Sequence, residues 1–166
     1  MTAKSIKLSE NQKNYLRIQG VIAVVDRARG LELARIGLNM PQAQVLDCLN
    51  EAKVRNEPMT PMKLSRVLHN QPHTVSALVH RMEVQGLVST KKDMKRKNWL
   101  RVSLTRNGEE ALKLWANATE VPDILSCLSK KETEMMCTAS RKIHAKGLEL
   151  LRKMQPDPFD VERFLW

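Results

Sequence analysis

The sequence predicts a mostly α-helical fold that contains one two-stranded β ribbon. Three observations support this prediction. Apolar residues recur at steps of three and four along most of the 166-residue chain, which is the helical period. Capping pairs and prolines mark the expected starts of the helices. Between residues 87 and 104 the pattern changes to alternation, which is typical of strands.

The first helix is predicted over residues 9–29. Ser9 and Gln12 have the spacing of a capping box. The apolar stripe that follows is wide, and it contains Tyr15, Ile18, Val21, Ile22, Val24, Val25 and Ala28. Because a wide stripe packs on more than one neighbour, another subunit is a candidate partner for this helix. A bend is expected between Gly30 and Met40.

Three shorter helices follow, and the last two form a helix-turn-helix pattern. Prolines open them at Pro41, Pro61 and Pro72. The predicted core positions are Val45, Leu46 and Leu49 in the second helix, Leu64, Val67 and Leu68 in the third, and Val75, Leu78, Val79 and Met82 in the fourth. Only residues 69–71 separate the third and fourth helices, which is a connection length typical of a helix-turn-helix.

A ribbon with a strongly basic tip is predicted after Gly86. Residues 87–90 and 99–104 have strand character, and Leu100, Val102 and Leu104 are expected to face inward. Residues 91–101 contain six basic residues and one acidic residue. The net charge of this segment is therefore +5, which is half of the chain's net charge of +10. Such a charge density costs self-repulsion and buries nothing, so a neighbouring phosphate backbone is its simplest explanation.

Two further helices and an apolar C-terminus complete the pattern. Thr105 caps a fifth helix that Pro122 stops or bends, and its apolar positions are Ala111, Leu112, Trp115 and Ala118. Ser129 and Glu132 form a capping box that opens a long sixth helix, which is expected to bury Met136, Ala139, Ile143, Leu150 and Met154. The terminal apolar residues are expected to dock on their own subunit or on a partner, and they are Phe159, Phe164, Leu165 and Trp166.

The outward face of the fourth helix has the properties of a major-groove reader. Its side chains are mostly small and polar, so the helix can approach base edges closely and exchange hydrogen bonds with them. A solvated helix face is the alternative interpretation of this helix alone. The residues predicted to read bases are His73, Thr74, Ser76, Ala77 and His80, with Gln71 and Arg81 at the edges of the contact.

Three stretches resemble the MarR family of bacterial and archaeal transcription regulators. They are residues 62–68 (MKLSRVL), 74–88 (TVSALVHRMEVQGLV) and 102–108 (VSLTRNG). The resemblance implies a winged helix-turn-helix with long N- and C-terminal dimerisation helices and a two-stranded β wing. It implies a homodimer whose recognition helices enter major grooves and whose wings enter minor grooves. It also implies a repressor, less often an activator, that a small ligand or oxidation releases.

The wing departs from the pattern of that family. Where the family typically has an acidic residue, any residue and then Arg, this chain has Arg96, Lys97 and Asn98, and Thr90 stands where an Arg is usual. The identity of the side chain in the minor groove is therefore open. The wing residues predicted to contact DNA are Arg96 and Lys97 in the minor groove, Lys95 and Arg101 on phosphates, and Lys91, Lys92 and Asn98 beside them.

These observations predict three segments and one function. The segments are an N-terminal dimerisation region at 1–38, a winged helix-turn-helix DNA-binding domain at 39–110, and C-terminal dimerisation helices at 111–166. The predicted function is regulation of transcription by a homodimer that binds an inverted repeat in double-stranded DNA with sequence specificity. A repressor relieved by a small-molecule effector is expected, and no motif identifies the ligand-binding residues.

A metal-responsive or thiol-responsive regulator of the same fold is the first alternative. Three histidines lie between residues 69 and 80, but no nearby Cys, Asp or Glu completes a convincing ligand set, so no metal site is predicted. Cys48, Cys127 and Cys137 have no C-x-x-C spacing, and burial in the reduced form is expected for them. Their redox activity stays open.

Other functional classes have less support in the sequence. The chain has no glycine-rich phosphate loop, no G-x-S-x-G and no H-E-x-x-H, so neither an enzyme nor a cofactor is predicted. A winged helix that binds only protein would leave the basic ribbon without a role. No apolar run reaches the roughly 18 residues of a membrane span, and the N-terminus lacks a signal-peptide pattern, so a cytoplasmic protein without a membrane partner is expected.

Overall fold

The computed structural model describes residues 7–92 and 100–154. In these ranges the chain forms seven helices and a two-stranded antiparallel ribbon. The helices are α1 (Glu10–Arg35), α2 (Met40–Val54), α3 (Pro61–Val67), α4 (Pro72–Val84), α5 (Arg106–Ala116), α6 (Glu120–Leu125) and α7 (Lys130–Met154), and the strands are β1 (Val88–Lys92) and β2 (Leu100–Leu104). The predicted fold class, mostly helical with one ribbon between the fourth and fifth helices, is confirmed.

Helix α1 is longer than predicted. The expected capping box at Ser9 is present, but the helix continues through Gly30 and ends at Arg35. The bend lies at Gly37, whose φ of 72° is left-handed. The predicted end at residue 29 was wrong because one glycine costs only about 1 kcal/mol in a helix, and packing of the fully buried Leu33 outweighs that cost.

The core lies where α2, α3 and α4 pack against the base of the ribbon. Nine of the ten core positions predicted for these three helices are buried, and the tenth, Leu68, is half-buried. Leu33 and Leu38 add to this core from the end of α1 and the turn after it. Met59, which precedes α3, forms a β-bridge with Val102, so the connection between α2 and α3 is fastened to the ribbon.

The ribbon projects beyond the core. Its strands pair with Val88 opposite Leu104 and Lys92 opposite Leu100. Val102 is buried and Leu104 is half-buried, as predicted. The inward orientation expected for Leu100 was wrong, because this side chain is 38% exposed. Leu100 and its partner Lys92 lie at the end of the described strands nearest the tip of the ribbon, beyond the edge of the core.

A short helix, α6, stands where the sequence predicted a stop or bend at Pro122. Helix α5 ends before it, at Ala116, and Pro122 lies in the first turn of α6. Proline is tolerated there because first-turn amides have no partner within the helix. The amide of Val121 donates a 3.0 Å hydrogen bond to the buried Glu32 carboxylate, so this contact holds α6 against α1.

The apolar faces of α1 and α7 are uncovered within the described part of the chain. The burial predicted for α7 was wrong for a single chain, since Met136, Ala139, Ile143, Leu150 and Met154 are all exposed. The large exposed apolar residues of α1 are Tyr15, Leu16, Ile18, Val21, Ile22, Val24 and Leu31. The docking expected for Phe159, Phe164, Leu165 and Trp166 concerns residues outside the described ranges.

Candidate nucleic-acid interface

Helix α4 has one buried face and one exposed face. Its core positions are buried as predicted. All of the α4 residues predicted to contact DNA are exposed, and they are His73, Thr74, Ser76, Ala77, His80 and Arg81, together with Gln71 at the N-cap. A surface of imidazoles, hydroxyls and one methyl group is narrow enough to enter a major groove and carries both donors and acceptors.

The turn that precedes α4 is closed by a left-handed residue. His69 has a φ of 50°. Its amide donates a 3.1 Å hydrogen bond to the carbonyl oxygen of Arg66, and the amide of Asn70 donates one of 2.9 Å to that of Ser65. These two bonds form a Schellman motif, which ends α3 sharply. Helix α4 therefore begins after only a few residues, and its N-terminus is left at the surface.

A second turn of the same kind joins α4 to the ribbon. Gly86 has a φ of 71°, and its amide donates a 2.9 Å bond to the carbonyl oxygen of Glu83. The amide of Leu87 donates a 2.9 Å bond to the carbonyl oxygen of Met82. The hydroxyl of Thr105 then donates to the carbonyl oxygen of Gly86 at 2.5 Å. The base of the ribbon is thereby fixed to the end of α4.

Higher on the ribbon, the side chain of Glu83 contacts Thr90. Its Oε1 atom accepts hydrogen bonds from the amide of Thr90 at 2.8 Å and from the hydroxyl of Thr90 at 2.6 Å. These bonds, with the hydroxyl as the largest cause, lower the pKa of Glu83 from its usual value. Sequence reasoning noted Thr90 but missed its partner. Glu83 could have been singled out from the sequence, because it is an acidic residue on a helix that otherwise carries basic and neutral groups.

Three of the predicted wing residues lie on the described part of the ribbon. Lys91, Lys92 and Arg101 are exposed, and Lys91 stands opposite Arg101 in the strand register. Like charges directly opposite each other destabilise a β ribbon, and a bound phosphate would relieve this repulsion. The remaining predicted wing contacts lie outside the described residues, and they are Lys95, Arg96, Lys97 and Asn98.

The cysteines differ from the prediction that all three are buried. Cys48 is half-buried in α2. Burial, with the charge of Asp47 as a smaller cause, raises the pKa of its thiol to about 11. Cys127 and Cys137 are exposed. Their predicted burial was wrong because Cys127 lies in the connection between α6 and α7, and Cys137 lies on a helix with few contacts inside the described chain.

Neither a metal site nor a membrane span is found in residues 7–92 and 100–154. In these ranges no group of three His, Cys, Asp or Glu side chains could hold a metal ion. No described helix combines the length and the apolar character that crossing a bilayer requires.

A cleft of about 220 Å³ lies between the end of α2 and β2, with Lys53 and Arg101 among its walls. The Lys53 ammonium pairs with the carboxylate of Glu109 on α5 at 2.6 Å.

Comparisons with known proteins find similar solved structures. No family model and no curated protein matches this chain. The organohalide-sensing transcriptional regulator RdhR, in its ligand-free form, is similar with a TM-score of 0.74 and 25% identity, over 93% of this chain and 92% of that one. RdhR bound to 2,4-dichlorophenol is similar with a TM-score of 0.74 and 24% identity, over the same shares of the two chains.

Two further structures extend the likeness. AbsC, a MarR family transcriptional regulator from Streptomyces coelicolor, has a TM-score of 0.72 and 19% identity, over 87% of this chain and 99% of that one. A mutant of Staphylococcus aureus MepR bound to an oligodeoxyribonucleotide has a TM-score of 0.55 and 17% identity, over 84% of this chain and 99% of that one. The likeness spans nearly the whole chain, so the shared fold extends beyond the helix-turn-helix and its ribbon.

Proposed function

We propose that this chain, which has the winged-helix fold of the MarR family of transcriptional regulators, binds double-stranded DNA with sequence specificity and regulates transcription without being an enzyme. The observation that carries the proposal is the combination of the slender polar face of α4 with a basic ribbon attached to its end. The fold that the chain shares with a MepR structure bound to an oligodeoxyribonucleotide supports it.

The two parts of this surface have different roles. Helix α4 reads bases because its exposed side chains are short and offer hydrogen-bond donors and acceptors. The ribbon contributes affinity that depends little on sequence, because its charges pair with phosphates. The assigned base contacts are His73, Thr74, Ser76, Ala77 and His80, with Gln71 and Arg81 at their edges. The assigned wing contacts are Lys91, Lys92, Lys95, Arg96, Lys97, Asn98 and Arg101.

The functional form is a homodimer. Long exposed apolar faces on α1 and α7 support this part of the proposal, because monomers rarely leave such extended apolar surface in water. Segments 1–38 and 111–166 form the dimerisation region, and segment 39–110 binds DNA. Two-fold symmetry then requires an inverted repeat with half-site centres about 10 base pairs apart.

The regulator is a repressor that a small molecule releases from DNA. The structure of RdhR with 2,4-dichlorophenol supports this part, since a protein of similar fold and nearly equal length holds a small organic ligand. The two winged helices of a dimer can adopt an orientation that fits DNA and one that does not. A ligand that binds the second orientation more tightly lowers the affinity for DNA, by as much as its own affinity differs between the two orientations.

The salt dependence of DNA binding tests this function. If each dimer neutralises about six phosphates, affinity falls about a thousandfold between 50 and 200 mM salt. Changing Lys95, Arg96 and Lys97 to Ala weakens binding to all sequences and flattens that dependence. Changing Lys113, Lys130 and Lys131 to Ala removes the same charge elsewhere and leaves the slope unchanged.

Sequence preference tests the role of α4. His73→Ala or Ser76→Ala changes the preferred sequence, with an effect of about 1–3 kcal/mol for a good base contact. A uniform loss of affinity in these variants contradicts the division of roles. Purified protein without small molecules that ignores both random and genomic duplexes in dilute buffer contradicts DNA binding, and a protein-docking role then replaces it.

A further inference from the structure

The amide of Thr90 points away from the partner strand. In the strand register Thr90 is opposite Val102, whose own amide donates a 2.9 Å bond outward to the carbonyl oxygen of Met59. This marks the two residues as a non-hydrogen-bonded pair, in which both amides face away from each other. The Glu83 carboxylate is the acceptor for the amide of Thr90. Glu83 thus occupies the open edge of β1 in place of another strand.

The same contact restrains the ribbon above its base. The bonds around Gly86 hold the start of β1, but Thr90 lies two residues closer to the tip than Val88. At the same height on the other strand, Val102 is bonded to Met59, so β2 is attached to the connection between α2 and α3. A two-stranded hairpin is marginally stable in isolation, so each attachment to the rest of the chain restrains it. The attachment at Thr90 ties β1, above its base, directly to α4.

The position of this attachment determines which lysine turns toward α4. Side chains alternate along a strand, so Lys92 lies on the same face of β1 as Thr90, and Lys91 lies on the opposite face. Because the hydroxyl of Thr90 bonds to Glu83 on α4, the face that carries Lys92 is directed toward the side of α4. The basic groups of the ribbon are therefore ordered relative to the exposed face of α4.

A negative charge at this place has an electrostatic cost for a DNA-binding surface. The two hydrogen bonds from Thr90 favour the ionised form of the Glu83 carboxylate and lower its pKa. An ionised carboxylate repels phosphates, and the basic wing follows within a few residues. Both Thr90 bonds end on one oxygen of this carboxylate, and bonds to a charged acceptor are stronger than neutral ones. The restraint that these bonds place on the ribbon offsets the repulsion between Glu83 and the phosphates.

We propose that Glu83 is a positioning residue that acts through Thr90 to fix the angle between α4 and the ribbon. The sequence preference of α4 then depends on this angle being fixed. This inference rests on the proposed function, since it assigns the ribbon to DNA. In this role Glu83 acts through its bonds to Thr90 and not through a contact of its own with DNA. Its removal therefore changes discrimination between sequences more than it changes general affinity for duplex DNA.

Binding to two duplexes tests the positioning role. One duplex is selected by the wild-type protein from a random library, and the other is a random duplex of equal length. Thr90→Val keeps the shape of the side chain and removes the hydroxyl, and we expect a loss of about five- to thirtyfold on the selected duplex. On the random duplex the change is about twofold or less. Thr90→Ser restores the hydroxyl and the wild-type ratio of the two affinities.

Controls separate positioning from folding. Ser126→Ala removes a hydroxyl that bonds to the carbonyl oxygen of Asp123 in the connection between α6 and α7, and it leaves the ratio unchanged. Equal losses on both duplexes for Thr90→Val, with the wild-type preference intact, overturn the positioning role and leave the proposed function standing. The same conclusion follows if Thr90→Ser fails to restore the ratio.

A measurement without DNA examines the attachment itself. Amide hydrogen exchange at Thr90 becomes at least about tenfold faster in Glu83→Ala, because the amide loses its acceptor. The amides of Leu78 and Val79, inside α4, keep their wild-type rates. Unchanged exchange at Thr90 overturns the inference whatever the DNA result. A wild-type protein that binds neither duplex overturns the proposed function, and the exchange rates then still decide whether Glu83 holds Thr90.

Discussion

The hydroxyl of Thr105 donates a hydrogen bond of 2.5 Å to the carbonyl oxygen of Gly86 and accepts one of 3.1 Å from the amide of Gly108. One side chain therefore caps α5 and joins it to the turn between α4 and the ribbon. The amide of Thr105 also donates a 3.2 Å bond to the carbonyl oxygen of Leu87. As a result the first turn of α5 lies against the backbone of that turn, and any added atom between them displaces the ribbon.

Gly108→Ala is expected to destabilise the protein. A Cβ atom at this position would collide with the carbonyl oxygen of Leu87, which is backbone and cannot move aside. The expected loss in the free energy of unfolding is about 2 kcal/mol or more, measured by urea denaturation. Gly30→Ala is the matched control, because its Cβ meets nothing within 4 Å, and it raises helix stability by about 1 kcal/mol. Equal effects of the two substitutions would contradict the close packing at Gly108.

His69→Gly is expected to stabilise the protein. The φ of 50° at His69 is left-handed, and a side chain there carries a steric penalty of about 1 kcal/mol that glycine avoids. Thermal unfolding should show an increase in Tm of about 2–4 °C. His80→Gly makes the same change in the interior of α4 and should lower stability by about 0.5 kcal/mol. A decrease for both variants would show that the side chain of His69 is needed in the turn.

Arg29→Met is expected to lower the free energy of unfolding by about 3 kcal/mol. Arg29 lies 2.8 Å from the Glu32 carboxylate, whose side chain is 2% exposed, so its loss leaves a buried charge without its partner. The double variant with Glu32→Met should be more stable than Arg29→Met alone, because it removes both charges. The control is Arg35→Met. Its ion pair with Glu120 is largely exposed, and a change below about 1 kcal/mol is expected. Additive losses in the double variant would contradict this view of the buried pair.

Cys48 is expected to be the slowest of the three thiols to react with a disulfide reagent at pH 8. Its pKa of about 11 leaves about a hundredfold less thiolate than the ordinary value of 9.0 does. The higher nucleophilicity of a basic thiolate offsets part of this, so a rate at least about tenfold below that of the exposed Cys127 is expected. Rapid labelling of Cys48 in the folded protein would contradict its burial.

The same pKa shift predicts a loss of stability at high pH. Between about pH 9 and 11 the unfolded chain has released the Cys48 proton while the folded chain retains it, so the free energy of unfolding falls as pH rises through this interval. Cys48→Ala should lack this component when the two proteins are compared by denaturation at pH 8 and pH 10. Loss of DNA binding on labelling of Cys127 or Cys137 would favour the thiol-responsive alternative.

Much of the winged-helix segment was predictable because its signals are local. Thr60, Pro61 and Pro72 begin helices where the sequence placed them, since capping and proline preferences act within one turn. The spacing of Val75, Leu78, Val79 and Met82 identified the buried face of α4, and therefore also its exposed face. The exposed candidate residues of α4 follow from that periodicity alone, because a helix has a fixed angle per residue.

The sequence by itself determined where most of the helices begin, which face of α4 is buried and where positive charge accumulates. Tertiary packing decided that α1 continues past Gly30, that Leu100 lies beyond the core and that Glu83 meets Thr90. These outcomes depend on which surfaces come into contact, and residue spacing within one segment carries no information about the partner surface. A capping preference is satisfied within four residues of chain, whereas burial and a contact between elements exist only after distant elements have packed together.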